Sequence, residues 1–303
     1  MTAESELRSG YVALLGKPNA GKSTLLNCLL GQKIAAVSAK PQTTRKRILG
    51  ILNLPQAQVL FLDTPGILGR TDKRLTAYMQ REAWSVIKDA DLAVLLVDCL
   101  KPDRRRDEQI ADRLHEAKIA CICTLNKIDK IDRLELLPMI EHYSGLPGVS
   151  QVIPISALSG DGVDDLLLEI VNALPPGPAY YPRDQLSDQT ERLLAAEIVR
   201  EKVFKLMRQE IPYSTAVDVI DYREPGSSDA PVEIEAEIWV ERDSQKGMVI
   251  GAAGRTIKLI GTQAREELEQ LLGRKVVLRL FVKLKRDWTR DPQALAELGY
   301  KPD

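Results

Sequence analysis

The octapeptide GKPNAGKS at 16–23 constrains this chain more than any other stretch. It follows the apolar run YVALLG (11–16) and opens the helical pattern KSTLLNCLLG, so it is a glycine turn between a strand and a helix. Gly16 and Gly21 let backbone N–H groups turn inward, with Lys17, Pro18, Asn19 and Ala20 completing the loop. The helix start adds unpaired donors and the positive end of its dipole. That combination cradles phosphate. Lys22 reaches the β and γ phosphates of a nucleotide, Ser23 offers a hydroxyl to Mg²⁺, and Thr24 lies in the same first turn. Alone, the motif does not separate ATP from GTP.

The surrounding pattern is α/β. The runs YVALLG, AQVLFLD (57–63), LAVLLVD (92–98), IACICTLN (119–126) and QVIPIS (151–156) read as strands buried on both faces, as in a parallel sheet. RILGILNL (47–54) is a sixth strand, joined so closely to the next that the two are expected antiparallel at the sheet edge. Helical patterns fill the other gaps, which defines a doubly wound layout. PPGPAYYP (175–182) holds four prolines and a glycine and reads as a stiff linker. The expected division is 1–174, a linker at 175–187, and a second domain at 188–303. A chain of 303 residues, 44% apolar and 28% charged, has material for two cores. No run of about 18 apolar residues appears, and MTAESELRSG has no leader pattern, so a cytoplasmic location is expected. Cys28, Cys99, Cys121 and Cys123 sit among apolar neighbours and read as packing residues.

Four further motifs fall at strand ends or beside them. NKID (126–129) ends the fifth strand, where such sheets bind ligands. Asp129 can accept N1–H and the 2-amino group of guanine; adenine offers neither. Lys127 can lie over the base and Asn126 can brace the loops. ISA (155–157) ends the next strand, placing the Ala157 N–H near the guanine O6 with Ser156 holding the turn. DTPG (63–66) supplies Asp63 for Mg²⁺ through water, then Thr64, Pro65 and a Gly66 whose N–H can face a γ-phosphate, with Ile67 following. PQTTR (41–45) reads either as a plain loop or as a switch in which Thr44, rather than Thr43, binds Mg²⁺ only beside a γ-phosphate. Lys22, Thr44 and Gly66 are the candidate catalytic residues.

Together, GKPNAGKS, PQTTR, DTPG, NKID and ISA resemble the translation-factor-like GTPases, and the Era group most closely. The resemblance implies a P-loop GTPase domain with a mixed, mostly parallel six-stranded sheet, hydrolysing GTP to GDP and phosphate. Many GTPases of the wider class have a Gln where Ile67 stands here. The side chain of Ile67 cannot hydrogen-bond to water, so slow intrinsic hydrolysis is implied. Asn19 is the residue that accompanies K⁺ beside the phosphates in several relatives, which makes K⁺ a candidate second ion. Competing readings are a tRNA-modification GTPase, disfavoured because the last cysteine is Cys123, and a non-catalytic scaffold holding GTP structurally.

A second glycine turn, VIGAAGRTI (249–257), has no Lys-Ser after it and so lacks the parts of a nucleotide site. From 188 onward the element order is α-β-β-α-α-β, similar to the bacterial type II KH fold, an α+β RNA-binding domain. Ile250, Gly251, Ala252, Ala253, Gly254, Arg255 and Lys258 would form its GxxG loop, with Val249, Ile250, Ile257 and Ile260 as an apolar floor. Net charge is −1 for the chain, but 242–290 carries twelve Lys and Arg against five Asp and Glu. That local excess favours a polyanion. The tail resembles the end of Era proteins and offers Lys283, Lys285, Arg286 and Arg290, with a Trp288 that either stacks on a base or packs a helix. The resemblance further implies binding near the 3′ end of small-subunit rRNA during 30S maturation and peripheral association with the inner membrane face; a monomer is expected.

Overall fold

The computed structural model describes residues 7–38, 40–67, 74–224, 226–227 and 230–300. Most of MTAESELRSG, read above, lies outside the described residues. The described residues form two compact units. One takes those within 1–35, 44–70 and 79–188; the other takes those within 36–43, 71–78 and 189–303.

The first unit holds β1 (Arg8–Leu15), α1 (Lys22–Leu30), β2 (Ile48–Asn53), β3 (Ala57–Asp63), β4 (Leu92–Asp98), α3 (Arg104–Glu116), β5 (Ala120–Asn126), α4 (Arg133–Ser144), β6 (Val149–Ile155) and α5 (Val163–Ala173). The helix α2 (Arg74–Ser85) straddles the boundary between the two residue sets. The sheet runs β2-β3-β1-β4-β5-β6. Among the described strands of this sheet, β2 pairs antiparallel with β3 and the others pair parallel. All seven residues of β3 and of β4 are buried, because both faces carry helices. The expectation of a doubly buried strand fails at β6, whose pattern is largely half-exposed. It is the edge strand, so its outer side has no neighbouring strand to bury it.

The proline-rich segment after α5 is a strap laid along the sheet margin. Ser9 N donates to Pro175 O at 3.1 Å and Gly177 N to Leu7 O at 2.9 Å. Gln58, 1% exposed, is its central anchor. Its Oε1 accepts from Tyr180 N (2.6 Å) and Tyr181 N (3.0 Å), and its Nε2 donates to Tyr181 O at 2.8 Å. Further along, Ile51 N donates to Leu186 O at 2.8 Å and Ser187 Oγ to Leu49 O at 2.6 Å. The stiffness read from proline content therefore comes largely from hydrogen bonds to β1, β2 and β3.

The second unit holds α6 (Glu191–Leu206), β7 (Ala216–Arg223), β8 (Val232–Val240), α7 (Asp243–Ile250), α8 (Arg255–Leu272), β9 (Val276–Leu284) and α9 (Pro292–Glu297). Its sheet is β7-β8-β9, antiparallel then parallel. Along β8, Val232, Ile234, Ala236 and Ile238 face Val199 and Val203 of α6 and Ile260, Ala264 and Leu268 of α8 in one core. The α8 residues recur every four positions, which puts them on one helix face.

Gln58→Ala would leave the N–H groups of Tyr180 and Tyr181 without their acceptor. The expected loss is about 2 kcal/mol, read as a lower urea midpoint and faster limited proteolysis within 175–187. An unchanged midpoint would show that the strap holds without this anchor.

Candidate nucleotide site and nucleic-acid interface

The loop after β1 adopts the turn that its glycines permit. Gly16 has φ +144° and Gly21 φ +105°, and a Cβ on Gly16 would sit 2.4 Å from Leu96 O. Asn19 also takes a positive φ, +65°. Lys22 is buried, its Nζ donating to Gly16 O (3.2 Å) and Lys17 O (3.1 Å). Its ammonium therefore lies inside the loop. Burial lowers its pKa to about 8, with the Asp63 carboxylate opposing.

Three oxygens converge beside this lysine. Ser23 Oγ donates to Asp63 Oδ2 at 2.6 Å and lies 2.8 Å from Thr44 Oγ1, which is 3.4 Å from the same Asp63 oxygen. Asp63 is fully buried, and its Oδ1 has no partner. Burial pushes its carboxyl pKa up while Lys22 pulls it down. An orphaned buried carboxylate oxygen beside two hydroxyls is a donor set suited to a hard divalent cation. Thr44 faces this cluster, whereas the Thr43 hydroxyl turns back to Lys40 O. Thr64 Oγ1 bonds Leu14 O. Gly66 packs on the loop so tightly that a Cβ there would lie 2.5 Å from Pro18 backbone. Ile67 N donates to Gly16 O at 3.1 Å and its side chain joins the hydrophobic core.

At the base end, Asn126 Nδ2 donates to Ala20 O at 2.7 Å, while its Oδ1 accepts from Lys127 N (2.8 Å) and Ala157 N (2.9 Å). One amide thus joins the glycine loop to NKID and ISA. The Ala157 N–H expected to face a guanine oxygen is donated to Asn126 here. Ser156 is fully buried and its hydroxyl donates to Asp129 Oδ1 at 2.8 Å, aligning the carboxylate assigned to the base. Lys127 sits at φ +75° with its ammonium 2.7 Å from Asp98 Oδ2. Asp98 went unassigned in the sequence; as the last residue of β4 it carried no motif.

The second glycine turn links α7 to α8. Gly251 has φ +73° and Gly254 φ +75°; a Cβ on Gly251 would meet Thr256 Oγ1 at 2.1 Å. Ala252, Ala253, Arg255 and Lys258 are exposed around it. A groove beside the loop is lined by Ile257, Lys258, Thr262 and Arg265 of α8 and by Leu278 and Leu280 of β9. Thr262, Arg265 and the two leucines went unassigned; helical spacing from Lys258 and strand alternation in β9 were the available signals. Val249 and Ile260 are fully buried in the core and form no floor. Lys283 and Lys285 do not join the loop either. Lys283 pairs with Glu237 at 2.8 Å, and Lys285 with Glu297 at 3.0 Å over the Trp239 ring. Arg286 is exposed, 3.9 Å from Asp243. Trp288 is wholly buried, with Nε1 donating to Ser214 O at 2.8 Å. Of its two readings, packing is the one this burial supports, since a ring without exposed surface offers no face to a base.

Fold and site together define a P-loop GTPase followed by a KH domain. A family model described as a 50S ribosome-binding GTPase matches residues 11–127, and a KH-domain model matches 210–289. GTPase Era of Geobacter metallireducens is 46% identical over 298 residues, covering 98% of this chain and 99% of the relative. GTPase Era of Lactobacillus helveticus is 44% identical over 299 residues, covering 98% and 97%. A crystal structure of an Aquifex aeolicus Era variant bound to GDP and AlF4⁻ superposes with a TM-score of 0.93 at 41% identity, covering 98% of this chain and 100% of that one. A structure of Era in complex with MgGDPNP and nucleotides 1506-1542 of 16S ribosomal RNA gives the same TM-score, identity and coverage. The chain belongs to the Era family of GTPases.

Two outcomes follow for the base and phosphate ends. Nucleotide phosphates require Lys22 charged, and its pKa near 8 means that the free protein loses this charge as pH rises through 8. GDP affinity should be flat below pH 8 and fall above it, approaching roughly tenfold per pH unit. A flat titration to pH 9.5 would refute this. Asp129→Asn exchanges two acceptor oxygens for one acceptor and one donor. Guanine binding should weaken by about 100-fold and xanthine nucleotides should bind better than GDP, both measurable by calorimetry.

Proposed function

We propose that this GTPase uses its nucleotide state to control binding of the 3′-terminal region of small-subunit rRNA, and so acts in 30S subunit maturation. The relative solved with MgGDPNP and 16S nucleotides supports the target, and the GxxG loop with its basic, partly apolar groove supports the mode. In this reading Lys22 and the loop N–H groups hold the β and γ phosphates, and Asp129 with Asn126 selects guanine. Ser23, Thr44 and Asp63 would hold Mg²⁺, which when bound neutralises charge on the phosphates. With the Ile67 side chain in the core, orienting the attacking water falls to Thr44, to main chain around Gly66, and to a K⁺ ion beside Asn19. A cytoplasmic monomer with peripheral attachment to the inner membrane face completes the proposal; no helix among the described residues is long and apolar enough to cross a membrane.

The observation that carries the coupling lies on α6. Residues within 36–43, immediately before Thr44, cluster with the KH unit rather than with the nucleotide unit. Glu201, fully buried, accepts from Val37 N at 2.9 Å. Arg200 donates to Thr43 O, and Lys40 donates to the carbonyls of Phe204 and Met207. The main chain that delivers Thr44 is therefore held by the first helix of the RNA-binding unit. A γ-phosphate that fixes Thr44 changes what α6 holds.

The test is affinity for a 16S 3′-terminal fragment with GDP and with a non-hydrolysable GTP analogue. The two values should differ several-fold in the wild type and converge to within about twofold in Glu201→Ala, which removes the acceptor for Val37 N, given a net hydrogen bond of order 1 kcal/mol. Equal wild-type values would end the proposed control.

A further inference from the structure

We infer that Asp98 is a positioning residue for guanine-nucleotide binding, acting through Lys127. The inference rests on the guanine reading of NKID. The fold forces the pair together. In the β4–β5 ladder Asp98 stands opposite Asn126, and Cys99 N bonds Asn126 O at 3.1 Å, so the two strand ends are locked level. The chain then turns sharply at Lys127, which adopts φ +75°, a region that a lysine enters only under constraint. That turn aims the side chain back across the end of β4, where its ammonium meets Asp98 Oδ2 at 2.7 Å. The carboxylate is 7% exposed and the lysine side chain 27% exposed.

The other Asp98 oxygen accepts from Leu100 N at 3.1 Å, fixing the carboxylate plane. Asp98 therefore anchors one end of a flexible four-carbon stem whose other end is fixed at the edge of the base pocket. Anchoring both ends leaves the methylenes as a preformed cover for one face of the base. A free lysine stem would have to be ordered when the nucleotide arrives, and that loss of rotamer freedom opposes binding. Because the pair is partly open to water, its influence should weaken in salt.

The test is a double-mutant cycle on GDP binding. Asp98→Asn keeps an acceptor for Leu100 N and loses the charge pair. In the wild-type background it should weaken GDP several-fold, mainly through faster release, and the loss should shrink at 1 M salt. In a Lys127→Ala background the same change should have no further effect. Additive losses, or Asp98→Asn binding GDP within twofold of wild type, would overturn the inference; additivity would show that Asp98 merely shapes the turn. Failure of the wild type itself to hold GDP would instead overturn the guanine reading.

Discussion

The amide of Asn126 is the contact on which the nucleotide site depends. It is 2% exposed and spans three loops that come from β1, β5 and β6. Each partner is a main-chain group, so the junction fixes backbone rather than side chains. Gly21 is the matching constraint, since a Cβ there would lie 2.1 Å from Asn126 Nδ2. Glycine is required at 21 both for its positive φ and for this close approach. Strand register makes the junction possible: Leu14 stands opposite Asp63, Asp98 opposite Asn126, and Asn126 opposite Ile155. Parallel pairing brings those strand ends to one edge of the sheet, where loops distant in sequence meet.

This explains which features could be read from the residues. The glycine loop, NKID and the strand runs are local patterns with local physical causes, and the α8 helix begins and ends where its flanking glycines, Gly254 and Gly273, take left-handed φ. What escaped was set by long-range placement. The apolar content of β6 resembles that of the interior strands, and only its position in the sheet order exposes it. Trp288 carries no local sign of whether it faces solvent; its partner, Ser214, is 74 residues away. Asp98 acquires a role only when β4 and β5 pair. Gln58 looks like one polar residue in an apolar strand, and its function as an anchor needs the strap laid beside it.

The charges on α6 present the opposite problem. Arg200, Glu201 and Lys202 are consecutive, and each is at most 6% exposed. A helix stabilised by its core alone would carry apolar residues there, because burying ionised groups costs more than their pairing returns unless every group is satisfied. Satisfaction is uneven: Glu201 meets Val37 N, Lys202 and Lys205, and Lys202 meets Glu267, but one Arg200 nitrogen has no partner. An apolar side chain could have filled this space but could not hold the main chain of residues 37 and 43. On the proposed coupling, a segment that is both held and released would favour polar contacts, which form and break without leaving a cavity.

The basic stretch from 242 to 290 shows why net charge is a poor locator of a binding face. Strand alternation sends Arg279 and Lys283 to the outer side of β9, where Glu235 and Glu237 of β8 neutralise them at 2.9 and 2.8 Å. The inward residues of that strand, Leu278 and Leu280, line the groove instead. Lys258 and Arg265 on α8 supply its cations, and Arg255 stands exposed at the loop beside it. A polynucleotide entering here would meet positive charge along the helix and leucines along the strand. On the proposed RNA reading, phosphates would lie on the helix side and bases on the strand side, a polarity that follows from a two-residue period in β9 set against the helical period in α8.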